Sequence, residues 1–78
     1  MLKYLLKEET NESVVYDYFP ENGETFGTVS YNKKSNECGI VTLSENDKHQ
    51  RYALKMFSQI REFASKKSYL KEGIIAWY

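Results

Sequence analysis

The apolar residues of this chain change period once, and that change limits the folds open to it. From Ser13 to Leu43 they recur at every second position, as on a pleated strand; from Tyr52 to Ala64 they recur at every third or fourth, as on a helix. Ser13-Val14-Val15-Tyr16-Asp17-Tyr18-Phe19 is rich in β-branched and aromatic residues and stops at Pro20-Glu21-Asn22-Gly23, where proline removes a ladder donor. Thr25 to Tyr31 resumes the strand pattern. Asn32-Lys33-Lys34-Ser35-Asn36 is a polar turn, and Glu37 to Leu43 returns, which makes the clearest hairpin in the chain.

The remaining elements follow from the same rules. At the start, Leu2, Leu5 and Leu6 fit helical spacing, whereas Tyr4 and Leu6 alternate with Lys3 and Lys7 as a strand would. The turn-like Thr10-Asn11-Glu12 favours a strand. In the second half, Tyr52, Ala53, Met56, Phe57, Ile60, Phe63 and Ala64 form one helical stripe. Ser44-x-x-Asp47 and Asp47-x-x-Gln50 both have capping-box spacing ahead of it. The closing Ile74-Ile75-Ala76-Trp77-Tyr78 reads as a buried strand or as a tail across the core. The expectation is one α+β domain over 1–78: an antiparallel β-meander of three to four strands, with one long amphipathic helix on one face and a short C-terminal strand. Strands fall at about 2–8, 13–19, 25–31, 37–43 and 74–78, and the helix at about 45–67. Met56, Phe57, Ile60, Phe63 and Trp77 are the expected core.

Seventy-eight residues leave no room for a second core. The longest apolar run is the last five residues, far short of the ~20 that span a bilayer. The N-terminal segment carries lysines inside its apolar stretch and no small-residue cleavage site, so it is not read as a signal peptide. A single cysteine excludes an intrachain disulfide framework.

Few residues suggest chemistry. His49 is the only histidine, and no nucleophile or orienting group accompanies it, so it reads as a solvated imidazole on the helix surface. Cys38 sits in a strand with neither a cation nor a helix N-terminus beside it in sequence, and reads as a small buried hydrophobe. The carboxylates at Glu8, Glu9, Glu12, Glu21, Glu24, Glu45 and Asp47 lack the alternating spacing of a calcium loop. Isolated glycines at turns make no phosphate-cradling loop. No catalytic residue, metal ligand or cofactor is therefore assigned.

Aromatic content is the unusual figure, at 15%. Alternation sorts Val14, Tyr16 and Tyr18 to one side of their strand and Val15, Asp17 and Phe19 to the other, so both sides carry bulky groups. One helix stripe does not cover both. Tyr16, Tyr18, Phe26 and Tyr31 are accordingly the candidate interaction surface, with stabilising cross-strand pairing as the alternative role. Charge is also uneven within a net charge of zero. Four lysines stand against eight carboxylates in residues 1–46 (net −4), and six cations against two carboxylates in 47–67 (net +4). Lys48, Arg51, Lys55 and Arg61 form a candidate basic face on the helix.

Gly27-Thr28-Val29-Ser30, Asn32-Lys33-Lys34, Asn46-Asp47, Arg51-Tyr52-Ala53 and the ending Gly73-Ile74-Ile75-Ala76-Trp77-Tyr78 resemble a group of small uncharacterised proteins encoded in Gram-positive bacteria and their mobile elements. The likeness spans residues 14–78, and its most specific part is the Ile-Ala-Trp-Tyr terminus. The resemblance implies a bacterial, cytoplasmic setting and no established activity, so it assigns no role to any residue. The expectation for function is a non-enzymatic protein-interaction module whose partner is a second copy, as a homo-oligomer (dimer) through the aromatic sheet face or an unpaired edge, or another protein, with no membrane partner. The alternative is a nucleic-acid-binding accessory protein that uses the basic helix face.

Overall fold

The computed structural model describes residues 1–21 and 23–76. The elements are β1 (Leu2–Glu9), β2 (Ser13–Pro20), β3 (Gly27–Asn32), β4 (Glu37–Thr42), α1 (Arg51–Lys66) and β5 (Glu72–Ile75). All strands join one antiparallel sheet in the order β4-β3-β2-β1-β5. The α+β class and the meander match the sequence expectation. The sheet has five strands rather than three to four, because β5 adds to the free edge of β1, with Tyr4 opposite Gly73 and Leu5 opposite Glu72. The chain leaves one edge of the sheet at β4, crosses the face as α1, and returns at the other edge as β5.

Side chains build the turns. Between β1 and β2 the Thr10 hydroxyl accepts the backbone N–H groups of Glu12 and Ser13 (3.2 and 3.0 Å). Between β3 and β4 the Asn32 side chain accepts those of Lys34 and Ser35 (2.8 and 3.1 Å), and Asn36 turns the chain at a φ of 60°. The Lys33 ammonium then ties the two hairpins together. It donates to Glu9 and to the Thr10 carbonyl (3.1 and 2.7 Å) and lies 4.9 Å from the centre of the Tyr69 ring.

The helix has 16 residues and starts at Arg51, not near residue 45. Ser44 to Gln50 form turns instead, and Gln50 enters the helix in the left-handed region at a φ of 59°, with no side-chain cap of its own. Neither capping box closes. Asp47 nevertheless supplies the cap from further upstream: its carboxylate accepts the N–H groups of Tyr52 (3.0 Å) and Ala53 (2.9 Å). At the other end the N–H of Lys67 bonds to the Ala64 carbonyl and that of Ser68 to the Phe63 carbonyl, which is a Schellman closure with lysine in the left-handed position.

The core lies between α1 and one face of the sheet. Ala53, Met56, Ile60 and Phe63 are buried against Leu2, Tyr4, Val14, Tyr16, Tyr18, Val29 and Tyr31. Of the expected core, Met56, Ile60 and Phe63 are buried and Phe57 is half-buried against the cluster. Trp77 lies outside the described residues, as do Tyr78 and Asn22. The C-terminal strand begins at Glu72, two residues before the expected start.

Candidate interaction surface

Three of the four residues expected on an open aromatic face are under the helix. Tyr16 and Tyr18 have no exposed surface and Tyr31 almost none. Their rings pack with Tyr4 and Phe63: Tyr4–Tyr16 centroids are 5.7 Å apart, Tyr4–Phe63 5.8 Å and Tyr16–Phe63 6.0 Å. The candidate surface is thus corrected, with Tyr16, Tyr18 and Tyr31 serving as the floor of the core. What permits this is the length of tyrosine, whose hydroxyl reaches the margin of the helix while the ring stays beneath it. Tyr16 donates to the Leu70 carbonyl (2.6 Å) just beyond the helix C-terminus. Tyr18 donates to Asp47 (3.1 Å) and accepts the Ser44 N–H (3.2 Å) at the other end. Tyr31 bonds to the Asn36 side-chain oxygen. Burial pushes the Tyr16 phenol far up, and pushes the Tyr18 phenol up to about 12.

Only Phe26 stands on the open side, and there it meets Phe19 with ring centroids 5.6 Å apart. Register places the rest of that face. Phe19, Lys3 and Ile74 lie in one row across β2, β1 and β5, with the Lys3 ammonium 5.9 Å from the centre of the Phe19 ring. The next row runs Thr42, Thr28, Asp17, Leu5, Glu72 from β4 to β5. Asp17 there accepts the Thr28 hydroxyl at 2.8 Å. Gly39, Ser30, Val15 and Glu8 follow. Phe26 is 48% exposed and Ile74 56%. The outcome is a sheet face with Phe26, Phe19 and Ile74 in a band that Lys3 crosses, beside the carboxylates of Asp17, Glu72 and Glu8. Val15-Asp17-Phe19 was legible as the opposite side of the tyrosine strand; which side α1 covers was not.

The helix presents a second, basic surface. Arg51, Leu54, Lys55 and Ser58 line one shallow groove on its outer side, with Leu54 56% exposed. Lys48 joins Arg51 around a smaller hollow at the helix start. Arg61 stands apart, on the flank facing Tyr31 and Asn36. The structure therefore gathers three of the four residues of the expected basic face and separates the fourth. Ion pairs join Lys33 to Glu9, Lys34 to Glu12, Lys66 to Glu62 and the Met1 amine to Glu21. None of them uses Asp17, Glu8 or Glu72 of the open face, or Arg51 of the helix.

Other candidates for chemistry are plain. Cys38 is half-buried, and burial pushes its thiol up, against a smaller opposing effect of the Arg61 charge. His49 is exposed beside the helix start. Among the described residues there is no group of three or more His, Cys, Asp or Glu side chains able to hold a metal ion, and no helix is long and apolar enough to cross a membrane. Compared with protein-family models, curated proteins and solved structures, the chain matches none.

Proposed function

We propose that this chain is a small non-enzymatic interaction module whose docking surface is the open face of its sheet. The observation that carries the reading is the grouping of Phe26, Phe19 and Ile74: Phe26 and Ile74 are each about half exposed, on a face the helix does not cover. A partner here buries apolar area around a rigid, sheet-mounted patch with polar groups at its rim, the usual anatomy of a protein interface. The expected homo-oligomer is retained in this form, with Phe19 and Ile74 in place of the tyrosines. The resemblance to small proteins of Gram-positive bacteria and their mobile elements sets the proposed context as bacterial and cytoplasmic.

Light scattering on wild type and on a Phe26→Ser/Ile74→Thr variant tests the reading. Mass above the monomer that depends on concentration, and that the variant loses while keeping its far-UV circular dichroism, supports it. Association that the variant leaves unchanged refutes it. A second reading, contact with nucleic-acid phosphates, is favoured by the grouping of Lys48, Arg51 and Lys55 at one end of the helix. It requires oligonucleotide binding whose logarithm falls with the logarithm of salt at a slope of about −2 to −3 for three cations. Absence of binding at low salt removes it.

A further inference from the structure

Two surfaces of the described residues, the open sheet face and the outer side of α1, lie on opposite layers and are complementary in charge. The sheet layer holds three carboxylates, Asp17, Glu72 and Glu8, against one cation, Lys3, which lies between Phe19 and Ile74. The helix layer holds Arg51 and Lys55 around the exposed Leu54. An amphipathic helix laid on a sheet is the packing that this fold already uses on its covered face. Resting on the reading that the open face is the docking surface, we infer that its occupant is the outer face of α1 from a second copy of the chain, so that molecules stack head to tail, sheet on helix.

The dimensions agree. Sixteen helical residues run ~24 Å, and five strands spaced ~4.8 Å apart present a face ~24 Å wide. Leu54 then meets the Phe19–Lys3–Ile74 row while Arg51 and Lys55 approach Asp17 and Glu72. The contact is heterologous, because each copy offers one surface and receives the other. It does not close on itself as a two-fold dimer does, and it builds short open stacks. A face of this size buries on the order of 1,000 Å2 in total, at the low end for specific association. Stacking is therefore weak and strengthened by opposite charges, and it loses strength as salt shortens the Debye length from ~10 Å at 0.1 M to ~3 Å at 1 M.

Two variants, each disabling one surface, decide the matter. Arg51→Gln/Leu54→Gln changes exposed helix positions to another good helix former. Glu72→Gln/Ile74→Thr changes exposed positions of β5 to residues an edge strand accepts. Circular dichroism and thermal melts establish that both fold. Sedimentation velocity follows wild type, each variant and their mixture from roughly 10 µM to 1 mM, the range a contact of ~1,000 Å2 implies. Wild type is expected to grow beyond twice its mass of 9.2 kDa, with association falling severalfold in about 0.5 M salt. Each variant alone is expected to lose at least tenfold in association constant. Their mixture restores a one-to-one complex that grows no further, since each contributes the surface the other lacks. If the β5 variant loses association while the helix variant keeps it, two sheet faces meet each other; that result overturns the stacking and leaves the open-face reading standing. If neither variant changes the association, both fail. A wild type that remains monomeric at 1 mM in low salt overturns the stacking.

Discussion

Replacing Asp47 with alanine is expected to cost this protein a large part of its stability. Asp47 is 2% exposed, and its two carboxylate oxygens accept three bonds: Tyr52 N–H at 3.0 Å, Ala53 N–H at 2.9 Å and the Tyr18 hydroxyl at 3.1 Å. The first two come from N–H groups of the opening helical turn, and losing such a cap costs about 1 kcal/mol. The third leaves the fully buried Tyr18 hydroxyl without its acceptor, a loss of about 1–3 kcal/mol. Together they reach ~2–4 kcal/mol, against a total of ~4–12 kcal/mol for a domain of 78 residues. Thermal unfolding followed by circular dichroism should show a fall in Tm on the order of 10–25 °C. Tyr18→Phe removes the hydroxyl that also receives the Ser44 N–H at 3.2 Å, and should cost about 1–2 kcal/mol. In the double variant the two losses should add to less than their sum, by about 1 kcal/mol, because they share one bond. An Asp47→Ala variant within 0.5 kcal/mol of wild type, or a cycle without coupling, would refute the reasoning.

Other outcomes follow from individual contacts. A β-carbon at Gly27 would lie 2.6 Å from the Thr42 carbonyl oxygen and closer still to the Tyr18 ring, whose hydroxyl is held at both sides. Gly27→Ala should cost about 1–3 kcal/mol in urea unfolding, while Gly39→Ala, with Ser30 Oγ at 3.6 Å, should be close to neutral. Lys67 holds the left-handed position of the helix end at a φ of 56°, so Lys67→Gly should raise stability by up to about 1 kcal/mol; an unchanged or lower Tm contradicts that account. Hydrogen bonds from the Met1 amine and the Tyr52 hydroxyl hold the Glu21 carboxyl below its ordinary 4.5. Its contribution is present above that pH and is lost as pH falls through the lower folded value, so Glu21→Gln should flatten the acid limb of a stability–pH curve. Tyr16 and Tyr18 are pushed the other way by burial. Their contribution is intact below pH 10 and is lost as pH rises past it, so their phenolate absorbance should appear only together with alkaline unfolding.

Much of the fold could be read from local pattern, and the misreadings have one origin. The strands, hairpins and helix stripe follow from alternation, turn residues and period 3.6, which are properties of neighbouring residues. The helix start did not, because Ser44 and Asp47 are cap formers at two scales: a local box, which the sequence suggests, and a longer reach from Asp47 to Tyr52 and Ala53 that depends on Tyr18 fixing the carboxylate. The placement of β5 against β1 also lay beyond reach, since pairing partners as distant as Leu2 and Ile75 leave no local trace.

What the sequence determines by itself is that β2 has two bulky faces and that the chain owns one helix to cover them. Which face is covered is a tertiary matter. Val14-Tyr16-Tyr18 and Val15-Asp17-Phe19 both carry bulky side chains, but only the first set lines up across the sheet with Leu2, Tyr4, Val29 and Tyr31. Only that set, too, finds acceptors for its hydroxyls at Leu70 and Asp47, on either end of the helix. Burying Asp17 instead would strand a carboxylate in the core, at a cost of several kcal/mol. The tyrosines therefore go under the helix, and Phe19, Phe26 and Ile74 are left facing outward.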